Sequence, residues 1–309
     1  MKRIALLFAG QGAQYPGMGK DVYQKHGFVR EMFSEASAIL GYDLAEMCFS
    51  ENELLNQTEN TQPAITAVNC SLYEVLKREG IIPTATLGFS LGEYSALYAA
   101  GVFSFPTVIS LVKERARCMA AVARKRGGAM VAIIGLGLEG VKAACAASGS
   151  VIANHNSPSQ YVIAGEEEEV RTAVEKALAL GARRAVRLNV SGAFHHPLMR
   201  EAAQCFKPNL EKADWNPPSF PVIMNCNASE LRFEELTDLL EMQIYSPVLF
   251  EKSVRRLVEE LNIDAFLEIG PGKVLSSLVR RIVPGTEVYN FEKASDLELI
   301  KEVLDVSER

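Results

Sequence analysis

The stretch Gly88-Phe89-Ser90-Leu91-Gly92 limits this chain more than any other feature. The apolar run Thr84–Phe89 leads into it and reads as a strand, and a helix is expected from Leu91 to Gly101. A strand that turns into a helix through Gly-x-Ser-x-Gly is the setting of a nucleophile elbow. The backbone turns so tightly there that side chains at 88 and 92 would strike the flanking elements, and glycine at both places removes the clash. The elbow lifts the serine hydroxyl to the top of a sheet. It also aims the Leu91 amide at the place where an oxyanion would form. The chain is therefore expected to build an α/β fold around Ser90.

A serine hydroxyl needs a base. The sequence has four histidines, His26, His155, His195 and His196. His26 falls in an early polar stretch, and His155 in a segment with its own rhythm. His195 and His196 follow a strand end in Ser191-Gly192-Ala193-Phe194-His195-His196-Pro197. The carboxyl ends of strands are where α/β folds place catalytic groups, so one of this pair is the expected base. The residues alone do not choose between them. More than a third of the chain follows His195, whereas the histidine of an ordinary α/β-hydrolase comes late, after an acid. That order excludes a standard lipase or esterase despite the elbow.

Strands are also expected at Arg3–Ala9, Pro221–Asn225, Asp264–Ile269 and Glu287–Phe291. Thr61-Gln62-Pro63 reads as a helix start, a capping hydroxyl followed by proline in the first turn, and that helix should end at Gly80. A further helix covers Pro106 to Arg124. The middle of the chain then reads strand (Gly128–Ile134), helix (Leu138–Ala147), two strands about Ser157-Pro158, helix (Glu166–Leu180) and strand (Arg184–Val190). This βαββαβ order is that of a ferredoxin-like unit. The expected division is a core of residues 1–126 and 191–309, with a mostly parallel sheet, and an inserted subdomain of residues 127–190. The run Arg124-Lys125-Arg126-Gly127-Gly128 reads as the exposed linker into it. The acidic run Glu166–Glu169 suits a helix N-terminus.

The 309 residues suffice to bury a core without disulfides or metal. The six cysteines form no CxxC pair and no metal-ligand spacing, so free buried thiols are expected and no metal site. A formal net charge of −6 argues against a nucleic-acid partner. The N-terminal apolar run is too short for a signal peptide, and no stretch reaches membrane-helix length. A cytoplasmic protein is expected.

The motifs taken together resemble the malonyl-CoA:acyl-carrier-protein transacylase family, which includes the acyltransferase domains of fatty-acid and polyketide synthases. The resemblance runs through Phe8–Gln14 (FAGQGAQ), Thr61–Ala64 (TQPA), Gly88–Leu97 (GFSLGEYSAL), Arg115, Asn154–Gln160 (NHNSPSQ), Gly192–Met199 (GAFHHPLM), Gln243–Val248 (QIYSPV) and Glu268–Leu275 (EIGPGKVL). It implies an α/β-hydrolase-like core and a ping-pong exchange in which Ser90 is the nucleophile and His195, not His196, the base. Gln243 matches the position whose main-chain carbonyl orients that histidine in place of an acid. Gln11 and Leu91 match the amides of the oxyanion hole. Arg115 matches the residue that grips the free carboxylate of malonyl, and Phe194 resembles the malonyl-selecting form of its motif. Asn154 and Asn156 fall where the family's small subdomain meets the active-site gorge; for Asn156 a turn role stands beside substrate contact.

One residue departs from the pattern: most members carry His before the serine, and here it is Phe89. The resemblance further implies malonyl-CoA and acyl carrier protein as substrates, no cofactor, and a monomer. An acidic carrier protein would need a basic docking face, for which Arg183/Arg184 and Arg280/Arg281 are candidates. The competing readings are an acyltransferase serving a polyketide synthase, an acyl-thioester hydrolase of the same fold, and an inactive docking subunit. Arg115 argues against the hydrolase. Joint retention of Ser90, His195, Arg115 and Gln11 argues against the docking subunit.

Overall fold

A computed structural model describes residues 2–304. Its strands are β1 (Ile4–Phe8), β2 (Ala85–Gly88), β3 (Ala129–Ile134), β4 (Val151–Ser157), β5 (Gln160–Gly165), β6 (Arg184–Arg187), β7 (Val222–Ile223), β8 (Ala265–Ile269) and β9 (Glu287–Phe291). The larger sheet has the order β7-β2-β1-β8-β9, with all named pairs parallel. Helices cover both its faces, so β1 and β8 are buried at every residue, as a parallel sheet requires. Along β1 the side chains alternate. Ile4, Leu6 and Phe8 enter the core that holds the helices Thr58–Arg78 and Phe105–Arg126. Ala5 and Leu7 face the helices Phe250–Glu259 and Val274–Ile282.

The smaller sheet is antiparallel, in the order β4-β5-β3-β6. One face carries the helices Leu138–Ala146 and Glu167–Ala179 over Val131, Ile133 and Ile163. The other face, through Met130, Ala132, Val162 and Ala164, joins the main core. Strand β4 is also stitched to the large unit: the His155 N–H donates to Val248 O, and the Val248 N–H to Ala153 O, both at 2.9 Å. The two chain crossings into and out of this unit lie against each other. A Cβ on Gly128 would sit 2.8 Å from Ala193 Cβ, and one on Gly192 would sit 2.7 Å from Ala123 Cβ.

Three expectations need correction. The long helix opens at Thr58, a turn before Thr61, and Pro63 lies inside it. Thr61 does not cap it; its hydroxyl donates back to Leu55 O (2.5 Å) and Gln57 O (3.0 Å). Only Gly127-Gly128 of the expected linker joins the two units; Arg124–Arg126 is the last turn of a helix, where cations suit the dipole. It is anchored by Arg124 to Glu59 and by Lys125 to Glu201. Finally, the cysteines are not all free. Cys118 and Cys205 form a disulfide between the helices Phe105–Arg126 and Arg200–Lys212. Their sequence separation of 87 hid the pair; packing brings their Cα atoms to 5.9 Å, within bridging range.

Candidate active site

Ser90 sits at the turn between β2 and the helix Gly92–Ala99, with φ at 50°. A non-glycine residue in this left-handed region is strained and persists only where its surroundings enforce it. Here they do. A Cβ on Gly88 would lie 2.0 Å from Glu93 N, and one on Gly92 would lie 2.1 Å from Phe8 O. The Ser90 N–H donates to Asn225 Oδ1 at 2.7 Å, and Asn225 Nδ2 donates to Gly88 O at 2.8 Å. Glu93 Oε1 in turn accepts from the Asn225 N–H at 2.6 Å. Burial pushes the Glu93 carboxyl up to about 8, so it is largely protonated at neutral pH. Asn225 and Glu93 brace the elbow across the sheet.

The base follows from contacts on both ring nitrogens. Ser90 Oγ lies 2.7 Å from His195 Nε2. His195 Nδ1 lies 2.9 Å from Gln243 O and 3.2 Å from Ser246 O. Carbonyls only accept, so Nδ1 carries the proton and Nε2 is free to accept from the serine hydroxyl. Gln243 closes the helix Leu236–Gln243, and the last carbonyls of a helix are both unsatisfied and partly negative. Burial, with the nearby Arg115 cation adding to it, holds the His195 pKa down to about 4. It is therefore a neutral acceptor at physiological pH. His196 is different: its Nδ1 accepts from the Leu198 N–H at 3.0 Å and caps the turn Pro197–Met199.

Arg115 is only 1% exposed. Its Nη1 donates to Gln62 Oε1 at 2.7 Å and its Nη2 to Gln243 Oε1 at 2.9 Å, while Nε has no partner. The Tyr94 ring lies 5.4 Å from the guanidinium carbon. Among the described residues no carboxylate forms an ion pair with it. Burial pulls its pKa down, opposed by Tyr94 and Glu93. A buried cation with no carboxylate in ion-pair contact is costly unless an anion completes the site. Arg117, two residues on, is a surface residue paired with Glu114 at 2.8 Å.

Gln243 ties these groups together. Its carbonyl holds His195, its Oε1 holds Arg115, and its Nε2 donates to Ser90 O at 2.8 Å. Gln62 continues the chain outward, donating to Gln11 Oε1 at 3.3 Å. Gln11 follows β1 in a loop that abuts the elbow, since a Cβ on Gly10 would lie 2.3 Å from Phe89 O. Leu91 N lies at the start of the helix Gly92–Ala99. A cleft of about 430 Å³ opens beside Gln11, walled by Asn56–Glu59, Ala120 and Arg124 on the large unit and Asn189–Ser191 on the return from the small one.

The remaining expected residues are more loosely connected. Phe194 is buried in the main core. Phe89 stacks edge-to-face on Phe250 at 5.4 Å, which makes that wall of the elbow apolar. Asn156 lies on β4 beside a bulge. It makes no hydrogen bond to Ser90, His195 or Arg115, and its buried Oδ1 has no partner. Arg183, Arg184, Arg280 and Arg281 are all exposed. Arg281 donates to Gln160 Oε1 at 2.9 Å, and Gln160, Ile134 and Arg184 are lateral neighbours across β5, β3 and β6. Arg281 and Arg184 thus share one end of the small sheet.

Sequence reasoning gave no role to Gln62, Asn225 or Glu93. Gln62 and Glu93 do lie inside the motifs Thr61–Ala64 and Gly88–Leu97. Asn225 closes an expected strand and left no signal. Glu268, in the closing motif, has a structural use: its carboxylate accepts from the Leu275 and Ser276 N–H groups at 3.0 and 2.7 Å and caps the following helix.

Comparison with known proteins gives a consistent result. The family profile described as acyl transferase domain matches residues 5–299. The malonyl CoA-acyl carrier protein transacylase of Bacillus subtilis is 40% identical over 289 residues, covering 91% of each chain. The MCAT crystal structure from Streptococcus pneumoniae superposes with a TM-score of 0.93 at 39% identity, over 97% of this chain and 100% of that one. A malonyl-transacylase solved in complex with its type II PKS acyl-carrier protein superposes at 0.93 with 37% identity, over 98% and 99% of the two chains.

Proposed function

The chain belongs to the acyl transferase domain family, and we propose that it moves malonyl from malonyl-CoA to the phosphopantetheine thiol of an acyl carrier protein through an ester on Ser90. The observation that carries this reading is Arg115, a buried guanidinium that has amide partners but no anion. A guanidinium binds a carboxylate through two parallel charge-assisted hydrogen bonds. Malonyl offers a carboxylate at one end and a thioester at the other.

Malonyl-CoA enters by the cleft beside Gln11, and its carboxylate settles on Arg115. His195 Nε2 takes the Ser90 proton as Oγ attacks the thioester carbonyl. The Gln11 and Leu91 amides receive the oxyanion, a placement typically worth about 3 kcal/mol per donor. The tetrahedral intermediate collapses, the C–S bond breaks, and His195 returns its proton to the coenzyme A sulfur. The carrier thiol then reverses the sequence, giving its proton to His195 and taking malonyl as a new thioester. Each step uses side chains, main-chain amides and thiols; no metal or redox cofactor enters it.

Phe194 limits the acyl site to unbranched malonyl. The unpartnered Asn156 Oδ1 accepts from an amide of the pantetheine arm. The basic end of the small sheet, Arg184 with Arg281, receives an acidic carrier protein. The pathway we assign is fatty-acid synthesis, in the cytoplasm. The test is transfer itself: malonyl-CoA and holo carrier protein are mixed with the enzyme, and the acylated carrier is followed by mass. Malonyl-carrier forming only when enzyme is present supports the reading. Free malonate with no acylated carrier would contradict it in favour of a hydrolase.

A further inference from the structure

Four of the six cysteines are unpaired, and burial raises each of their thiol pKa values, Cys48 and Cys226 to about 12. They are poor nucleophiles and poor targets for oxidation. The Cys118–Cys205 pair is built differently. Cys118 is buried, whereas Cys205 is an exposed residue on the outer side of the bond's helix pair. The exposed Arg117 donates from Nη2 to both sulfurs, at 3.6 Å to Cys118 and 3.7 Å to Cys205. A guanidinium beside sulfur stabilises the thiolate and hence the leaving group of thiol–disulfide exchange.

The position of the bond links it to the site. Cys118 lies one helical turn beyond Arg115, and Cys205 lies on the helix Arg200–Lys212, which begins directly after the Pro197–Met199 turn that follows His195. The cross-link therefore ties the segment carrying Arg115 to the segment carrying His195. Both residues meet on Gln243, at 2.9 Å each. Disulfides in cytoplasmic proteins are mostly transient and redox-sensing.

We propose that Cys118 and Cys205 are a reversible redox switch on the malonyl grip, with the disulfide form holding Arg115 in register with Gln243 and the dithiol form binding malonyl-CoA more weakly. The proposal rests on the roles and compartment assigned above. The chemistry balances with a low-molecular-weight thiol of the glutathione class. Its thiolate attacks the sulfur of Cys205, the more exposed residue of the pair, the S–S bond breaks, and Cys118 leaves as a thiolate beside Arg117. A second thiolate attacks the mixed disulfide and releases Cys205. Two cysteine thiols and one small disulfide result, with two electrons transferred; oxidation by the small disulfide runs the same steps backwards.

The test equilibrates the whole enzyme in glutathione buffers from reducing to oxidising. Samples are quenched, alkylated and mapped by mass for free thiols, and malonyl transfer is measured in parallel. The expected result is loss of two alkylation sites, Cys118 and Cys205, on oxidation. With it, KM for malonyl-CoA should differ by about fivefold between the two states, higher in the reduced one, while kcat moves less. Cys205→Ser, at an exposed position, should show the reduced-state KM at every poise. Six alkylated cysteines at all poises would overturn the proposal, as would a disulfide that forms without any change in KM. Transfer absent in both states would overturn the malonyl reading and the switch with it. A failure of the switch alone leaves transfer intact.

Discussion

The elbow at Ser90 and strand β4 of the small sheet contrast in how tightly they are held. At the elbow, Asn225, Gln243 and Glu93 reach the serine backbone and its neighbours, and a left-handed φ is enforced by glycines with no room for a side chain. On β4 the register slips twice, and the buried Asn156 Oδ1 and Ser157 Oγ have no partners; near the elbow Glu93 Oε2, Tyr94 Oη and Arg115 Nε also lack one, but the serine backbone itself is bonded on both sides. A buried polar atom left alone costs about 1–3 kcal/mol. The difference is that the Ser90 main chain is fixed by the side chains of Asn225 and Gln243, with Glu93 holding Asn225, while β4 is held more loosely and leaves Asn156 Oδ1 and Ser157 Oγ unbonded. Arg115 belongs to both kinds. Its amide partners position it, yet its charge stays uncompensated.

The sharpest way to break this contrast is at the elbow. Ser90→Ala and His195→Ala should each lower malonyl transfer by about 10³-fold or more, because nucleophile and base act as a unit; steady-state transfer to the carrier checks it. Similar activity in both variants and the parent would remove the pair from the reaction. Next is Arg115→Lys, which keeps charge but loses the fork. Its kcat/KM for malonyl-CoA should fall about 10²-fold or more, the range for one lost partner of a buried charge pair. Equal losses for acetyl-CoA and malonyl-CoA would show that Arg115 is not the carboxylate grip.

The pH profile gives a smaller effect of definite sign. The base must be neutral, and protonation removes it as pH falls. With the His195 pKa held down to about 4, roughly nine-tenths of sites stay neutral at pH 5, against about 3% for an ordinary histidine. The acid limb of kcat/KM should therefore fall well below pH 6. A limb near 6.5 would mean that the site is wetter than its burial implies. The smallest effect is expected on β4: Asn156→Ala should raise KM for malonyl-CoA about threefold with little change in stability, since its Oδ1 holds no protein hydrogen bond to lose. A thermal melt beside the kinetics checks it. A large loss of stability would make Asn156 structural.

Local pattern explains what the sequence could disclose. The elbow, the core strands and the βαββαβ order all rest on neighbours in the chain: a glycine two residues away, or an apolar period of two or 3.6. Ser90 and a histidine of the 195–196 pair were legible on that basis, and His195 came from family resemblance. Asn225 was not legible, because its contact with Ser90 spans 135 positions. The disulfide was hidden for the same reason, and composition favoured free thiols. The helix start at Thr58 was missed because Thr61-Gln62-Pro63 mimics a cap, while the hydroxyl turns back into the preceding turn. Tertiary packing, not local propensity, decided each of these.

The most direct test of the central claim is the intact mass of the enzyme after a brief pulse of malonyl-CoA or acetyl-CoA. A malonyl adduct that maps to Ser90, is absent in Ser90→Ala and discharges onto holo carrier protein is the expected result. An adduct from acetyl-CoA but not malonyl-CoA, or a malonyl adduct that survives in Ser90→Ala, would contradict it.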